Sequence, residues 1–176
     1  MRAWEGLTAV GPAETGMTFL RGDETSEEIV VLAYGMETGL GGFYAAVGER
    51  SDDADVVSLA TKLAEIEGSH RQRLFDLYLS LDPRVTDKEE FESDIVPGIL
   101  EGGFTTEEFM EQNKDSLQTS PDVLNMAMML EAQALDLYMR YSDKVEDEGG
   151  KAVLYDLAEE EKAHLTGLGR LMEQKV

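Results

Sequence analysis

The sequence predicts an all-α protein, a four-helix bundle with a long crossover between helices two and three. Apolar residues recur at three- and four-residue steps through four long segments. The links inside each pair of segments are short, and the second pair repeats the key polar positions of the first with an offset of 94 residues. A chain of 176 residues is long enough for one domain with a substantial core.

Residues 1–24 carry Gly11, Pro12 and Gly16 without a sustained period and read as an irregular arm or linker. Thr25 followed three residues later by Glu28 is a capping-box signature, and an inward face runs through Ala33, Tyr34, Glu37, Leu40, Gly41 and Tyr44. Helix one is therefore expected over about 26–49. Ser51, Asp52 and Asp53 offer the next cap. Helix two follows with Val56, Leu59, Leu63, Ile66, Glu67, His70, Leu74 and Leu77 on its inward face, and Pro83 closes it by about residue 81.

The stretch 82–120 is too long for a tight turn between neighbours. It contains the charged run DKEEFESD, the interruption Pro97-Gly98 and a Thr105/Glu108 cap pattern, so it reads as a crossover with short helices of its own. Ser120 and Pro121 read as the N-cap and first turn of helix three, whose stripe is Leu124, Ala127, Met128, Glu131, Leu135 and Tyr138. Gly149 and Gly150 mark the break before helix four. That helix carries Leu154, Leu157, Ala158, Glu161, His164, Leu168 and Leu171 to about Gln174. Short links within pairs and one long connection between them define the ferritin-like variant of a bundle, here over 25–174.

Asp and Glu number 37 against 15 Lys and Arg, a formal net charge of -22. Such a surface repels nucleic acid and anionic lipid and attracts small cations, although solubility alone accounts for a solvated acidic face. The absence of Cys excludes disulfides, thiolate metal sites and cysteine nucleophiles. MRAWEGLTAV lacks a signal-peptide apolar stretch, and no uncharged segment reaches the length of a membrane span. A soluble, cytoplasmic protein with no membrane partner is expected, as a homodimer or larger homo-oligomer.

The chemistry lies in the repeat. Glu37 precedes Glu67 by 30 residues and Glu131 precedes Glu161 by 30; Tyr44 and Tyr138 each follow the first Glu of their half by seven. Glu67-Gly68-Ser69-His70 and Glu161-Lys162-Ala163-His164 place a carboxylate and an imidazole three residues apart, roughly 4.5 Å along one helix face. Leu63 and Leu74 flank the first pair and Leu157 and Leu168 the second, so these polar groups point inward. Composition would give both histidines a Glu three places earlier only roughly once in sixty chains.

Four buried carboxylates and two imidazoles need counter-charge, which two divalent ions supply. Mixed oxygen and nitrogen ligands suit Fe(II), Mn(II) or, less selectively, Zn(II). The candidate ligands, also the candidate catalytic residues, are Glu37, Glu67, His70, Glu131, Glu161 and His164. Glu160 is a sequence alternative to Glu161, which the repeat offset disfavours; Glu159 and Glu160 read as surface charges or as groups behind the ligands. Packing is the simpler reading of Tyr44 and Tyr138, with hydrogen bonds to ligand carboxylates or electron transfer as alternatives. Tyr34, Met126, Met128, Met129 and Met139 read as packing.

Over residues 25–174 the sequence resembles the rubrerythrin branch of the ferritin-like superfamily. The resemblance rests on Glu37 in AYGMETGL, Glu67 and His70 in EIEGSH, Glu131 in MMLEAQAL, and Glu161 and His164 in EEEKAH. It implies a di-iron centre that reduces peroxide or oxidises ferrous iron. Typical rubrerythrins carry a further Glu three residues after the helix-three glutamate, where this chain has Ala134, so the six ligands look more like the symmetric centre of bacterioferritin. Rubrerythrins also carry a four-cysteine rubredoxin-like domain, which a chain without Cys cannot supply. The segment AWEGLTAVGPAETGM is similar to the tail and linker of a rhodanese domain in rhodanese-rubrerythrin-like fusions, without that domain's active-site loop.

These observations lead to a non-haem di-iron oxidoreductase, a peroxidase or ferroxidase with two iron ions per chain. It would take dioxygen or hydrogen peroxide and an external electron donor. An iron-binding or iron-sensing module without rapid turnover is the alternative, and a metal-free structural bundle is the third class.

Overall fold

Helices in this chain begin where side chains can satisfy the unpaired N–H groups of a first turn. The computed structural model describes residues 25–82, 84, 87–94 and 106–176. At the first start, Thr25 N donates to Glu28 Oε2 at 2.8 Å and Glu28 N donates to Thr25 Oγ1 at 3.2 Å. This box opens α1, Ser26–Arg50. The Asp53 carboxylate accepts from Asp55 N and Val56 N and opens α2, Ala54–Leu81. Three residues separate the two helices, which forces an antiparallel hairpin.

The crossover contains α3, Lys88–Asp94, and α4, Thr106–Gln112, followed by a 3₁₀ turn, Lys114–Ser116. Phe91 of α3 packs edge-on to Tyr34 and against Phe75 and Tyr78, which seats this part of the crossover on the α1–α2 hairpin. The Tyr34 hydroxyl donates to Glu92, so a residue expected as plain core also anchors α3. Phe109 of α4 meets Phe43 of α1. The arm at 1–24, Pro83, Pro97, Gly98 and Thr105 lie outside the described residues.

Helix α5 spans Ser120–Ser142 and α6 spans Glu148–Lys175. The cap of α5 is Thr119 rather than Ser120. Thr119 forms a reciprocal box with Asp122, three residues on, whereas Ser120 has Val123 at that place. Ser120 instead donates to Asp53 Oδ2 at 3.1 Å, tying the start of α5 to the start of α2. The break expected at Gly149-Gly150 lies earlier, at residues 143–147. Asp147 caps α6 by accepting from Gly150 N at 2.6 Å, and both glycines are in the first turn. A Cβ on Gly150 would come within 2.8 Å of Val145 Cγ1, so the close approach of this turn accounts for the glycine.

The hairpins α1–α2 and α5–α6 pack on one another through α2 against α6 and α1 against α5, the ferritin-like four-helix arrangement expected. Lys175, at the end of α6, lies 2.8 Å from the Asp53 carboxylate and 2.9 Å from Asp55. One end of the bundle thus ties three helix termini together. The core includes Val30, Leu40, Leu63, Leu74, Leu130, Leu154, Leu157 and Leu168, each contributing about 1.5–3 kcal/mol by leaving water. Leu59, Ile66, Met128 and Leu135, expected on inward stripes, are only partly buried, and Met139 is 40% exposed. Ala60, Leu130, Ala134 and Leu137 fill the core beside them. Helices α2 and α5 are turned a fraction of a turn from the predicted phase.

By length and composition alone, α1 would pass as a membrane span. However, 67% of its most apolar window is covered by the rest of the bundle, and Glu37 sits within that helix, fully buried.

Candidate metal centre

Each hairpin brings a glutamate from its first helix and a Glu-x-x-His from its second to the bundle axis. The helix period makes this possible, because residues 67 and 70, like 161 and 164, sit three apart on one face. Glu37, Glu67, Glu131, Glu161 and His70 have no exposed surface, and His164 keeps 7%. All six residues singled out in the sequence are together.

The atoms fall into two overlapping groups. Glu37, Glu67, His70 and Glu161 each turn a ligand atom to within 4.8 Å of the others, and Glu67, Glu131, Glu161 and His164 do the same. Glu67 and Glu161 belong to both groups. His70 Nδ1 lies 2.9 Å from Glu67, 3.3 Å from Glu37 and 3.3 Å from Glu161. His164 Nδ1 lies 2.8 Å from Glu161, 3.3 Å from Glu131 and 3.6 Å from Glu67. The two rings stack, with centroids 5.5 Å apart and planes 14° from parallel.

The tyrosines complete the symmetry. Tyr44 of the first hairpin donates to Glu131 Oε1 of the second, and Tyr138 of the second donates to Glu37 Oε1 of the first. Packing, the simpler sequence reading, is thus only part of their role. Each phenol fixes a carboxylate of the opposite hairpin, and both rings are buried in the core. Burial, with the Glu131 carboxylate next in effect, raises the Tyr44 hydroxyl well above its ordinary value, so it stays a donor.

Burial and the neighbouring charges decide where protons sit in the cluster. Burial pushes Glu37, Glu67 and Glu131 up, Glu67 to about 9. Burial also works to raise Glu161, but its partners Glu131, His164 and His70 outweigh it and hold Glu161 below the ordinary range. Burial works to lower both imidazoles; the surrounding carboxylates outweigh it, raising His70 and bringing His164 to about 10. Protons are therefore the counter-charge of the metal-free cluster. Both carboxylate oxygens of Glu67 and Oε1 of Glu161 are buried without a well-aligned hydrogen bond, and their close contacts are the ion pairs with the imidazoles. Buried carboxylate oxygens without directed donors are costly, and Glu67 and Glu161, which carry them, are the two residues common to both ligand groups. The donor set fits two divalent ions of the Fe, Mn or Zn kind.

Glu160, which the sequence presents as a surface charge or a group behind the ligands, has a partner in the structure. Its Oε2 lies 2.9 Å from His70 Nε2, on the far side of the ring from the cluster, and Arg73 binds its other oxygen. The sequence does show that Glu160 lies one residue before Glu161. It does not show that this places Glu160 over the outer edge of a histidine on another helix.

No family model matches the chain, and no curated protein matches it. Among solved structures it is similar to a hypothetical protein from Pyrococcus furiosus, with 24% identity, a TM-score of 0.64, and coverage of 87% of this chain and 91% of that one. The likeness is one of fold: this chain is a ferritin-like, all-α bundle with a buried carboxylate and histidine cluster able to chelate two metal ions.

Proposed function

We propose that this protein is a non-haem di-iron oxidoreductase that reduces peroxide, or oxidises ferrous iron with dioxygen or peroxide. The observation that carries the reading is the pair of overlapping ligand groups sharing Glu67 and Glu161, all of whose members lie buried at the bundle axis. Glu37 and His70 would hold one ion, Glu131 and His164 the other, and Glu67 and Glu161 reach both. A bound iron pair supplies electrons and Lewis acidity to both oxygens of the oxidant.

The chain's own residues prepare that chemistry. Glu160 against His70 Nε2 holds the imidazole proton on the outer nitrogen and leaves Nδ1 to face the cluster. Tyr44 and Tyr138 aim the outer carboxylates by donating to one oxygen of each. Leu63, Leu74, Leu157 and Leu168 keep bulk water away. Because the buried carboxyls and imidazoles hold protons without metal, cation binding releases protons to solvent. An external donor, or ferrous iron itself, must restore the electrons.

Anaerobic loading with Fe(II), metal counting, and parallel mixing with dioxygen and with peroxide plus a donor tests this reading. Near two ions per chain with repeated turnover is the expected outcome. Two ions without turnover would move the protein to the iron-binding or iron-sensing class. Failure to bind would leave a structural bundle.

A further inference from the structure

The groove between α2 and α6 is closed over one histidine and open over the other. Over His70, Glu160 occupies Nε2, Arg73 grips Glu160, and Asp156 stands 3.9 Å from the Arg73 guanidinium. His70 has no exposure at all. The repeat offset of 94 gives the matched residues over His164: Ile66 for Glu160, Gly167 for Arg73 and Lys62 for Asp156. A carboxylate, a guanidinium and a second carboxylate are replaced by an alkyl chain, a bare backbone and an ammonium, so no equivalent bridge can form.

An open pocket of about 310 Å³ lies at that place. Leu59, Leu63, Ile66, Ala163 and Gly167 give it apolar walls, the Glu160 carboxylate and the exposed Lys62 border it, and His164 reaches it. A Cβ added to Gly167 would meet nothing within 4 Å. His164 is the one member of the six that keeps exposed surface, and among the described residues none hydrogen-bonds its Nε2. The partly buried Leu59 and Ile66 line this opening.

We propose that this pocket beside His164 is the entrance by which a small neutral oxidant, dioxygen or hydrogen peroxide, reaches the ligand cluster, and that the Glu160–Arg73 bridge shuts the matched position beside His70. The inference rests on the di-iron reading above and adds a route and a side to it. Apolar walls take up dioxygen with almost no desolvation cost and hydrogen peroxide with far less than an ion, whereas a hydrated divalent cation would have to shed water against Leu and Ile. The pocket therefore suits the oxidant better than a cation.

The test uses nitric oxide as a neutral probe of the anaerobic, Fe(II)-loaded protein, with association followed by stopped-flow absorbance and iron counted in every sample. Gly167→Leu fills the pocket, and the double substitution Ile66→Glu with Gly167→Arg transplants the closing bridge. Each is expected to keep near two irons per chain and to slow association by roughly tenfold, equivalent to about 1.4 kcal/mol of added barrier. Gly167→Ala, a smaller filling of the same space, should slow association less than Gly167→Leu. Unchanged association in both blocking variants at full iron content would overturn the entrance and leave the di-iron reading standing. Loss of iron from both would show that the pocket supports the centre rather than admitting ligand, which also overturns it. An unsubstituted protein that binds no iron would sink both readings together.

Discussion

His70 and His164 hold matched places in the two hairpins, and each turns Nδ1 to a shared set of carboxylates. Behind His70 stands a carboxylate held by an arginine; behind His164 lies a pocket with a glycine on its wall. The inner faces of the hairpins are alike down to the tyrosines that cross between them, while the outer faces diverge. Residues facing the axis meet their own counterparts, so a change in one upsets both halves. Residues in the α2–α6 groove have no such counterpart to satisfy and can differ at little cost to the core.

Removing a shared ligand should break both halves at once. Glu67→Ala is expected to abolish binding of both ions, because Glu67 belongs to both groups. His70→Ala and His164→Ala should each leave one group of carboxylates without its nitrogen and weaken mainly one ion, as metal counting by elemental analysis would show. Equal loss of both ions in the histidine variants would mean that the groups do not fill separately.

The apolar layers test the likeness of the halves in stability. Leu74 and Leu168 are matched by the repeat and buried to 0% and 1% exposure. Leu→Ala at either should cost about 2–5 kcal/mol in denaturant unfolding, with similar values for the two. A clear difference would show that the hairpins contribute unequally to the fold.

In the metal-free protein, pH should act against the fold from below neutral upward. Glu67 is raised from an ordinary 4.5 to about 9 and His164 from 6.5 to about 10, so the folded state binds protons that the unfolded chain releases. The stability linked to those protons is complete below the unfolded values and is lost as pH rises through the folded ones. Thermal melts of metal-free protein should therefore fall between about pH 5 and 10. Metal-loaded protein, whose ligands are already deprotonated, should lack that decline.

Tyr44→Phe and Tyr138→Phe sharpen the comparison further. Each removes one donor to an outer carboxylate, and each should weaken metal binding by roughly 10- to 100-fold, as removal of groups behind metal ligands commonly does. The two losses should match, each falling on the ion held by the opposite hairpin. Arg73→Ala is the smallest change. Its partners are 44% and 68% exposed, so the bridge contributes about 1 kcal/mol or less to stability, and its deletion should show mainly on the His70 side.

The fold was legible because four long segments keep a helical period, and the site was legible because the repeat offset paired Glu37 with Glu131 and Glu67-x-x-His70 with Glu161-x-x-His164. The cap at Thr119 was also open to reading, since Asp122 completes a box with Thr119 and not with Ser120. The Glu160 contact was less accessible. Adjacent residues on a helix point about 100° apart, so small rotations decide whether position 160 meets solvent or the edge of a histidine on α2. The same rotation left Leu59 and Ile66 half-open. Comparing the halves for differences as well as matches would have flagged it, because Glu160 and Arg73 are replaced by Ile66 and Gly167.

The most direct test of a cluster held by two shared cations is calorimetric titration of the metal-free protein with Fe(II) under anaerobic conditions, repeated in buffers of different ionisation enthalpy. A shared pair of cations predicts near two ions per chain, with protons released as they bind. Saturation at no ions, or binding without proton release, would contradict it.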